Sequence, residues 1–479
     1  MKKMLIAVTM LLLLASTSAF AQVTASLSGT VADASGALIP GVEVTAKNIK
    51  TGIMATSVTN ETGNYVILAL QPGTYTLTAA LAGFKTAAYN SLELGEGQAV
   101  RENFKLEVGA AAGTTVDVSV AADTLIATTS ASVGNVISEK DTLNLPLASR
   151  DVLDFIATTA GVVTQLNAFG APTPQFGGQS IGAVNTTRDG ITTNDGRYNS
   201  SNGAYSAIFT SPDMIEEIRV TQNNVDPTVG RGSAQVQMRT RSGTNDFHGA
   251  GFYTNNNSVM NAQTYFQNLQ HAAKNFANRN QFGARLGGPI IKNKAFFFIL
   301  TDDQRYLGKL TVNTVVLTPT ARQGIFRYIN NGGRNGNAAS TTPSVDTNGN
   351  PLNPAAVSQF NVFNDIKDPL RTGIDPTFIG SYYLPSTPLP NNYQVGDGLN
   401  TGGFQWLQPQ NGSDGATGQS PNTNRNHLTL RFDYQLNNKN KVSFTMTREK
   451  NWGVTGQTGL ADVPAGAFGQ IYRTPYFYT

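Results

Sequence analysis

The chain of 479 residues contains no cysteine, only three histidines and only 14% charged residues. The absence of cysteine excludes disulfide bonds, thiolate catalysis and cysteine-bound zinc, and it suits a protein exported into an oxidising compartment. The formal net charge is +3, and no dense run of Lys and Arg is present to neutralise a row of phosphates. Nucleic acid is therefore not expected as a partner.

Long apolar runs are also scarce. The run Met4–Ala15 follows Lys2 and Lys3 and precedes the triplet Ala19-Phe20-Ala21. Because a membrane-spanning helix needs roughly 20 apolar residues, we interpret residues 1–21 as a cleavable secretory signal peptide rather than an anchor. No later segment has the length and apolarity of a spanning helix, so the mature chain is either soluble outside the inner membrane or crosses a membrane as strands.

Glycine and aromatic residues are abundant, with 48 Gly, 16 Tyr and 24 Phe, and this composition favours a mainly β fold of short strands joined by turns. In residues 22–108, short runs of alternating apolar and polar residues are each closed by turn residues, which predicts a small β-sandwich. This region resembles the carboxypeptidase-regulatory-like domain in the following motifs: Gly29-Thr30-Val31-Ala32-Asp33, Ile39-Pro40-Gly41-Val42, Thr62-Gly63-Asn64-Tyr65 and Pro72-Gly73-Thr74-Tyr75. The resemblance implies a periplasmic spacer or docking platform, with glycan contact as the alternative. No histidine lies here to hold a zinc ion.

The predicted linker, residues 109–120, begins with a Gly/Ala stretch and ends in an extended, β-prone segment. That segment is similar to the TonB box, which a periplasmic partner captures by pairing with its free backbone edge. The alternative is a plain linker or a first strand of the next domain. The residues of this possible partner-binding site are Thr115, Val116, Asp117, Val118, Ser119 and Val120.

Residues 121–244 combine a predicted helix with predicted strands, which indicates a compact α/β domain. Ser149 is expected to cap the helix, with Asp151 in its first turn. The sequence resembles the plug of Oar-like TonB-dependent receptors in several motifs, of which two carry the charges of the predicted site: Arg188, Asp189 and Gly190, and Gly230, Arg231 and Gly232. In that family such charges hold the plug in the barrel. The second motif lacks the lysine and spacing of a P-loop and is interpreted as a tight turn.

Arg188 and Asp189 are expected to be neighbours on a strand, where their side chains point apart, so they do not form an acid/base pair by themselves.

Residues 245–479 contain five predicted strands with period-two patterning. In the strand His427–Leu436, Leu428 and Phe432 share one face while Arg431 and Asp433 share the other. Alternating short and long connections between such strands are typical of a transmembrane antiparallel β-barrel, with the long ones outside. The region from about Asp303 to Arg425 is expected to be a mobile extracellular loop. Because the family's barrels need about 22 strands, we expect the first strands of an incomplete barrel in an N-terminal fragment.

Together these features predict a TonB-dependent outer-membrane receptor that takes up a large or scarce solute. Its expected partners are a TonB-type periplasmic energy-coupling protein, outer-membrane lipid, and an extracellular solute or glycan. The alternative is a non-transporting outer-membrane surface protein that binds protein or glycan. His248, His271 and His427 have no metal-binding spacing, and no catalytic set is evident, so neither an enzyme nor a cofactor is expected.

Overall fold

The structure is a computed structural model, and it divides into an N-terminal sandwich, a middle domain and a large antiparallel sheet, here called the wall sheet. The predicted signal peptide lies outside the described residues. The described residues are 25–95, 98–109, 116–117, 133–137, 139–144, 150–166, 172–176, 184–194, 206, 208–223, 234–263, 265, 274–330, 332–365, 373–409, 423–437, 440–454, 470–473 and 476–478.

The sandwich is built from two sheets. One sheet has the order β4-β1-β7, with β8 also on β1, and the other has the order β3-β2-β5-β6-β9. The strands are β1 (Ala25–Asp33), β2 (Glu43–Asn48), β3 (Met54–Val58), β4 (Asn64–Leu70), β5 (Gly73–Ala80), β6 (Ala87–Leu94), β7 (Ala99–Arg101), β8 (Phe104–Leu106) and β9 (Val116–Asp117).

Alternate residues of these strands form one apolar core, as the period-two pattern predicts. On β1, Ala25, Leu27 and Val31 are fully buried, and they pack with Leu77 and Phe104. Each such side chain contributes about 1.5–3 kcal/mol when it leaves water, which suffices to specify the register of every strand. The sandwich predicted from the sequence is therefore present in the structure.

The middle domain is a mixed sheet of order β10-β15-β16-β13-β14, with a separate hairpin β11-β12. Strand β13 runs parallel to β16, while β15 is antiparallel to it. The elements are β10 (Val133–Ile137), α1 (Glu139–Asn144), a 3-10 helix (Val152–Thr158), β11 (Val162–Leu166), β12 (Pro172–Phe176), β13 (Val184–Arg188), β14 (Ile191–Thr192), β15 (Ile215–Asn223) and β16 (Ala234–Thr240).

The helix predicted after Ser149 differs from the expectation. It is a 3-10 helix that begins after Asp151. The Asp151 carboxylate accepts a hydrogen bond from the Leu153 amide, so Asp151 is the N-cap. Asp151 was expected inside the first turn of the helix. It lies just before the helix instead, where its carboxylate accepts a hydrogen bond from an amide that has no partner within the helix. Ser149 lies outside the described residues.

Within the part of the chain that the structure describes, the wall sheet has eight strands, with the main order β17-β18-β19-β23-β24-β25. The long connection between β19 and β23, here called the outer connection, contains the separate hairpin β20-β21 and several short helices. The elements are β17 (His248–Asn257), β18 (Phe276–Ile291), β19 (Ala295–Leu317), α2 (Pro319–Arg322), β20 (Ile325–Ile329), a 3-10 helix (Pro354–Ala356), β21 (Val357–Asn361), a π-helix (Pro376–Tyr383), α3 (Leu384–Ser386), β22 (Thr401–Pro409), β23 (Asn424–Gln435), β24 (Lys441–Val454), β25 (Gln470–Arg473) and β26 (Tyr476–Tyr478).

The connections of the wall sheet alternate in length as predicted. Residues 292–294 join β18 to β19, and residues 436–440 join β23 to β24, whereas β19 and β23 are separated by the long outer connection. This connection starts later than expected, because β19 continues to Leu317 and its last residues pair with β22 instead of β23. The segment Val312–Leu317 is thus an extension of the strand.

The two faces of the wall sheet have the opposite polarity to those of the sandwich. On β23, Arg425, His427, Thr429, Arg431 and Asp433 are buried, while the apolar residues between them are half-buried or exposed. The buried polar face is the one that meets the middle domain, and we call it the inner face. A sheet that hides polar groups and presents Leu and Phe outward suits water inside and lipid outside.

Candidate functional site

The motif Arg188-Asp189-Gly190 forms a tight hairpin between β13 and β14. Arg188 pairs with Ile191, so Asp189 and Gly190 are the two turn residues, with φ of 50° and 84°. Two successive positive φ angles define the hairpin turn whose twist matches that of the strands, and Asp-Gly is a preferred sequence for it. The expectation that both charged residues lie on a strand was wrong for Asp189, since the Asp-Gly pair places it in the turn.

The Asp189 carboxylate joins the hairpin to the end of β16 and to the wall sheet. It accepts hydrogen bonds from the Thr240 amide at 3.0 Å and from the Thr240 hydroxyl at 2.7 Å. It also forms an ion pair with Arg431 of β23, at 3.2 Å between Oδ1 and Nη1. The turn therefore places one carboxylate where the middle domain meets the inner face.

Arg431 is the centre of this contact. Its Nη1 donates to the Thr240 carbonyl oxygen at 2.7 Å, and its Nε and Nη2 donate to the two Asp433 oxygens at 2.9 and 3.2 Å. Asp433 also accepts from Ser242 at 2.8 Å and forms an ion pair with Lys441 at 2.8 Å. We call these residues the junction cluster: Asp189, Thr240, Ser242, Arg431, Asp433 and Lys441.

The junction cluster is balanced in charge and nearly dry. The Arg431, Asp433 and Asp189 side chains are at most 4% exposed. Charges removed from water are tolerated when each is paired and hydrogen-bonded, and the loss of one partner is then costly. The cluster thus joins the middle domain to the wall sheet through buried, paired charges.

A second contact lies further along β23, toward the long connections. The Phe209 amide of the middle domain donates to Glu449 of β24 at 3.0 Å, and the Arg425 guanidinium lies 3.3 Å from the centre of the Phe209 ring. Glu449 also faces His427, at 3.3 Å from Nδ1. All of these wall residues are buried, so the loop that carries Phe209 covers a charged part of the inner face.

Arg188 lies between the two contacts and is fully buried. Its Nη1 is 3.3 Å from the Met214 sulfur, which in turn accepts a hydrogen bond from Thr429 of the wall. Burial lowers the pKa of Arg188 to about 10, and the nearby Asp189 and Glu449 carboxylates oppose that shift. Arg188 therefore stays protonated at neutral pH and places a positive charge in the middle domain, next to Met214 and close to the inner face of the wall sheet.

Asp213 forms a third contact at the edge of the inner face. It pairs with Arg150 of the middle domain at 2.5 Å and with Arg285 of β18 at 3.4 Å. The Arg150 guanidinium also lies 4.5 Å from the centre of the Phe252 ring on β17. This combination of ion pair and cation–π contact ties the middle domain to the first strands of the sheet.

Apolar contacts complete the junction. Phe298 and Leu300 of β19 point inward and belong to the same core as Phe155, Ile218 and Val236 of the middle domain. Together with buried Phe296 on the same face, these residues interrupt the polar inner face, and the middle domain covers Phe298 and Leu300 there. This exception could not be predicted from the sequence, since the pattern along one strand does not reveal what packs against it.

The remaining predicted site residues divide into two groups. Val116 and Asp117 form β9 and pair with Ala87 and Ala88 of the sandwich. The other predicted positions, namely Thr115, Val118, Ser119, Val120, Gly230, Arg231 and Gly232, lie outside the described residues. The structure therefore brings Arg188 and Asp189 to the junction and places part of the possible TonB box elsewhere, on the sandwich.

Sequence reasoning placed Arg431 and Asp433 on the polar face but assigned them no role, and it missed Arg425 and Glu449. The usable signal was a strand with polar or charged residues at every second position. Among the described residues, no group of three or more His, Asp or Glu side chains is arranged to hold a metal ion. Within the same residues, none of the helices has the length and apolarity needed to cross a membrane. His271 lies outside the described residues.

Two family models match the chain. The carboxypeptidase regulatory-like domain matches residues 26–107, and the outer membrane beta barrel domain matches residues 239–476. The first match covers most of the sandwich, and the second begins at the end of β16 and covers the wall sheet.

Among curated proteins, the chain is similar to the TonB-dependent transporter Oar of Myxococcus xanthus, with 29% identity over 306 residues. The alignment covers 60% of this chain and 27% of that protein, so the chain spans about a quarter of the length of this relative. Among solved structures, it resembles the siderophore receptor PirA from Acinetobacter baumannii, with 12% identity, coverage of 72% and 43%, and a TM-score of 0.33. A putative carbohydrate binding protein from Bacteroides uniformis covers 17% of this chain and 40% of its own length, at 19% identity and a TM-score of 0.15.

The wall sheet, its inward polar face and the matched domains define an outer-membrane β-barrel protein with an N-terminal carboxypeptidase regulatory-like domain. Within this class, the chain is a homologue of the TonB-dependent transporters, as its similarity to Oar indicates. Its location is the outer membrane.

Proposed function

We propose that the intact receptor takes up a large or scarce solute from outside the cell and is powered through a TonB-type periplasmic protein. In this proposal, the middle domain is the plug that blocks the lumen, and the residues Thr115–Val120 are the segment that the partner grips. The domain bounds predicted from the sequence, 22–108, 109–120, 121–244 and 245–479, are part of the same proposal.

The observation that carries this proposal is the junction cluster. A domain that only had to fill the barrel permanently could pack against an apolar inner face, as Phe298 and Leu300 do locally. Instead, Asp189 meets Arg431 through a charged hydrogen bond that water can replace. Such a contact is firm when dry and exchangeable when wet, which is the property required of a plug that must move and return.

The proposal is tested with the periplasmic domain of the host's TonB-type protein as a probe. The full-length receptor is purified from outer membranes, and capture of the probe is compared between the parent and a variant that lacks residues 115–120. We expect the parent to capture the probe and the deletion variant to lose capture, because the backbone edge that the partner pairs with is gone. A deletion of residues 410–415, in the connection between β22 and β23, is the matched control and should capture normally.

Heat-modifiable gel mobility of every protein confirms that the barrel is folded before capture is measured. A folded parent that fails to capture the probe would contradict coupling and would leave a non-transporting surface protein. A deletion variant that still captures the probe would contradict the assignment of the gripped segment while leaving coupling intact.

A further inference from the structure

Two residues of the predicted linker belong to a sheet of the sandwich. Val116 and Asp117 form β9, which runs parallel to β6, with Val116 opposite Ala87 and Asp117 opposite Ala88. Strand β9 is the last strand of the sheet β3-β2-β5-β6-β9. Without it, β6 would be an edge strand whose free backbone groups face solvent.

The pairing uses the backbone of the segment that is proposed to bind the periplasmic partner. A partner that binds by strand addition needs unpaired N–H and C=O groups along that segment. A backbone group facing an edge can pair with one neighbouring strand at a time, so β6 and the partner compete for the groups they share. The paired positions on β6 are also well covered, since Ala87 and Ala88 are each 2% exposed.

The sandwich is itself fastened to the junction between the middle domain and the wall sheet. Asn245, which lies between β16 and β17, donates from its amide to the Lys50 carbonyl at 3.1 Å and from its side chain to the Thr51 carbonyl at 2.8 Å. The Asn245 side chain also bonds Asn293, in the β18–β19 turn, at 2.7 and 2.8 Å.

A second attachment comes from Arg239 of β16, which donates to the Pro72 carbonyl of the sandwich at 2.6 Å. One turn of the sandwich is therefore held at the short-connection end of the wall sheet, and another is held on β16 of the middle domain. A segment paired to β6 is in turn held at a fixed place, and a pull on it acts first on the β6–β9 pairing.

We propose that the carboxypeptidase regulatory-like domain masks the coupling segment by pairing β9 with β6, and that it competes there with the TonB-type partner. The inference rests on the proposed function, because the masked segment is the one assigned to coupling. The apparent affinity for the partner is then the intrinsic affinity multiplied by the fraction of receptors in which β9 has left β6.

Residues 1–479 contain no cysteine, so the pairing can be trapped with one disulfide between two introduced cysteines. Any cysteine elsewhere in the full-length receptor is first replaced by serine. Ala88 and Asp117 are directly opposite each other. Neighbouring strands lie about 4.8 Å apart, which is within the Cα separation of disulfides. The variant Ala88→Cys/Asp117→Cys should therefore become oxidised in the periplasm of cells that make the full-length receptor. Mass spectrometry of the linked peptides measures this reaction.

Capture of the purified periplasmic domain of the TonB-type protein is then measured before and after reduction. The oxidised variant should bind the probe at least about tenfold more weakly than the reduced variant, because the staple keeps β9 on the sandwich. The control is Thr45→Cys/Thr78→Cys, which joins paired residues of β2 and β5 in the same sheet without touching β9. Its capture should not respond to reduction.

Three outcomes separate the hypotheses. If the engineered disulfide between positions 88 and 117 does not form, or if oxidation leaves capture unchanged, masking is overturned while the proposed function stands. If the disulfide forms but neither the reduced variant nor the parent captures the probe, the proposed coupling fails and masking falls with it. A reversible loss of capture that is absent from the control supports masking.

Discussion

Replacement of Arg431 by methionine tests whether the junction cluster holds the middle domain in place. Methionine keeps much of the length and apolar volume of the arginine stem but removes the four hydrogen bonds that Arg431 makes. The Thr240 carbonyl and the Asp189 carboxylate each lose a donor. Asp433 keeps Lys441, Ser242 and Ser443 as partners.

The expected cost follows from this unequal loss. Removal of one member of a buried ion pair typically costs about 3–5 kcal/mol, because the remaining charge is left without compensation. Asp433 is still paired, so we take the lower end, about 3 kcal/mol, for the contact between the middle domain and the wall. At 1.4 kcal/mol for each tenfold change, the population with a loosened middle domain should rise on the order of a hundredfold.

A single reporter cysteine measures that population, since the chain has none of its own. Thr210 is fully buried in the segment between the second and third contacts, and Thr210→Cys is close in size to the native residue. The rate at which a maleimide labels this cysteine in the folded receptor reports how often the segment opens. The control is Arg305→Met, which removes an arginine contact between β19 and β23, with Asn426, that does not involve the middle domain.

We expect Arg431→Met to accelerate labelling strongly and Arg305→Met to leave it unchanged. Adding Asp189→Asn to Arg431→Met should reverse part of the acceleration, because the uncompensated carboxylate is removed. Equal labelling of Arg431→Met and the parent, in protein whose barrel is folded by gel mobility, would refute the argument that the cluster holds the domain.

Two further predictions concern stability. A Cβ added at Gly243 would meet backbone carbonyl oxygens of the wall sheet, whereas one at Gly251 has its nearest neighbour at 3.9 Å. Gly243→Ala should therefore lower the thermal unfolding temperature of the receptor, at a cost of about 1–3 kcal/mol in the free energy of unfolding. Gly251→Ala is the control and should have little effect. Hydrogen bonds from Ser35 and Ala37 hold the pKa of Asp33 below its ordinary 3.8. Their stabilising effect is complete above that pH and is lost as the pH falls through the lowered pKa. The protection factor of the amides in this turn, which is the intrinsic exchange rate at each pH divided by the observed rate, should therefore fall on acidification, and Asp33→Asn should abolish that fall.

The sequence predicted the fold best where one periodicity governs a whole segment. The alternation in Asn424–Gln435 and Lys441–Val454 gave the correct faces, because a strand exposes its side chains to two sides in strict turn. The residues that form turns and helix caps were predicted less accurately than the strands. The Asp189-Gly190 pair is a strong hairpin signal, but Asp189 was placed on a strand, and the N-cap was assigned to Ser149 instead of Asp151.

The predicted start of the long connection at Asp303 was also wrong, for a different reason. Strand β19 continues to Leu317 because β22 arrives from a distant part of the chain to pair with its outer half. Pairing partners that are far apart in sequence leave no mark on the strand that receives them. Only the folded chain determines where such a strand ends.

The sequence by itself determined that this protein is mainly β, that it has a sandwich before a barrel wall, and that the wall is polar inside. These properties follow from local patterns of side chains, which each segment carries regardless of its neighbours. The tertiary structure alone decided that Asp189 meets Arg431, that Phe209 covers Glu449, and that β9 lies on β6. Such contacts join segments that are far apart in the chain, and their energy depends on the exclusion of water at the junction, which no local pattern encodes.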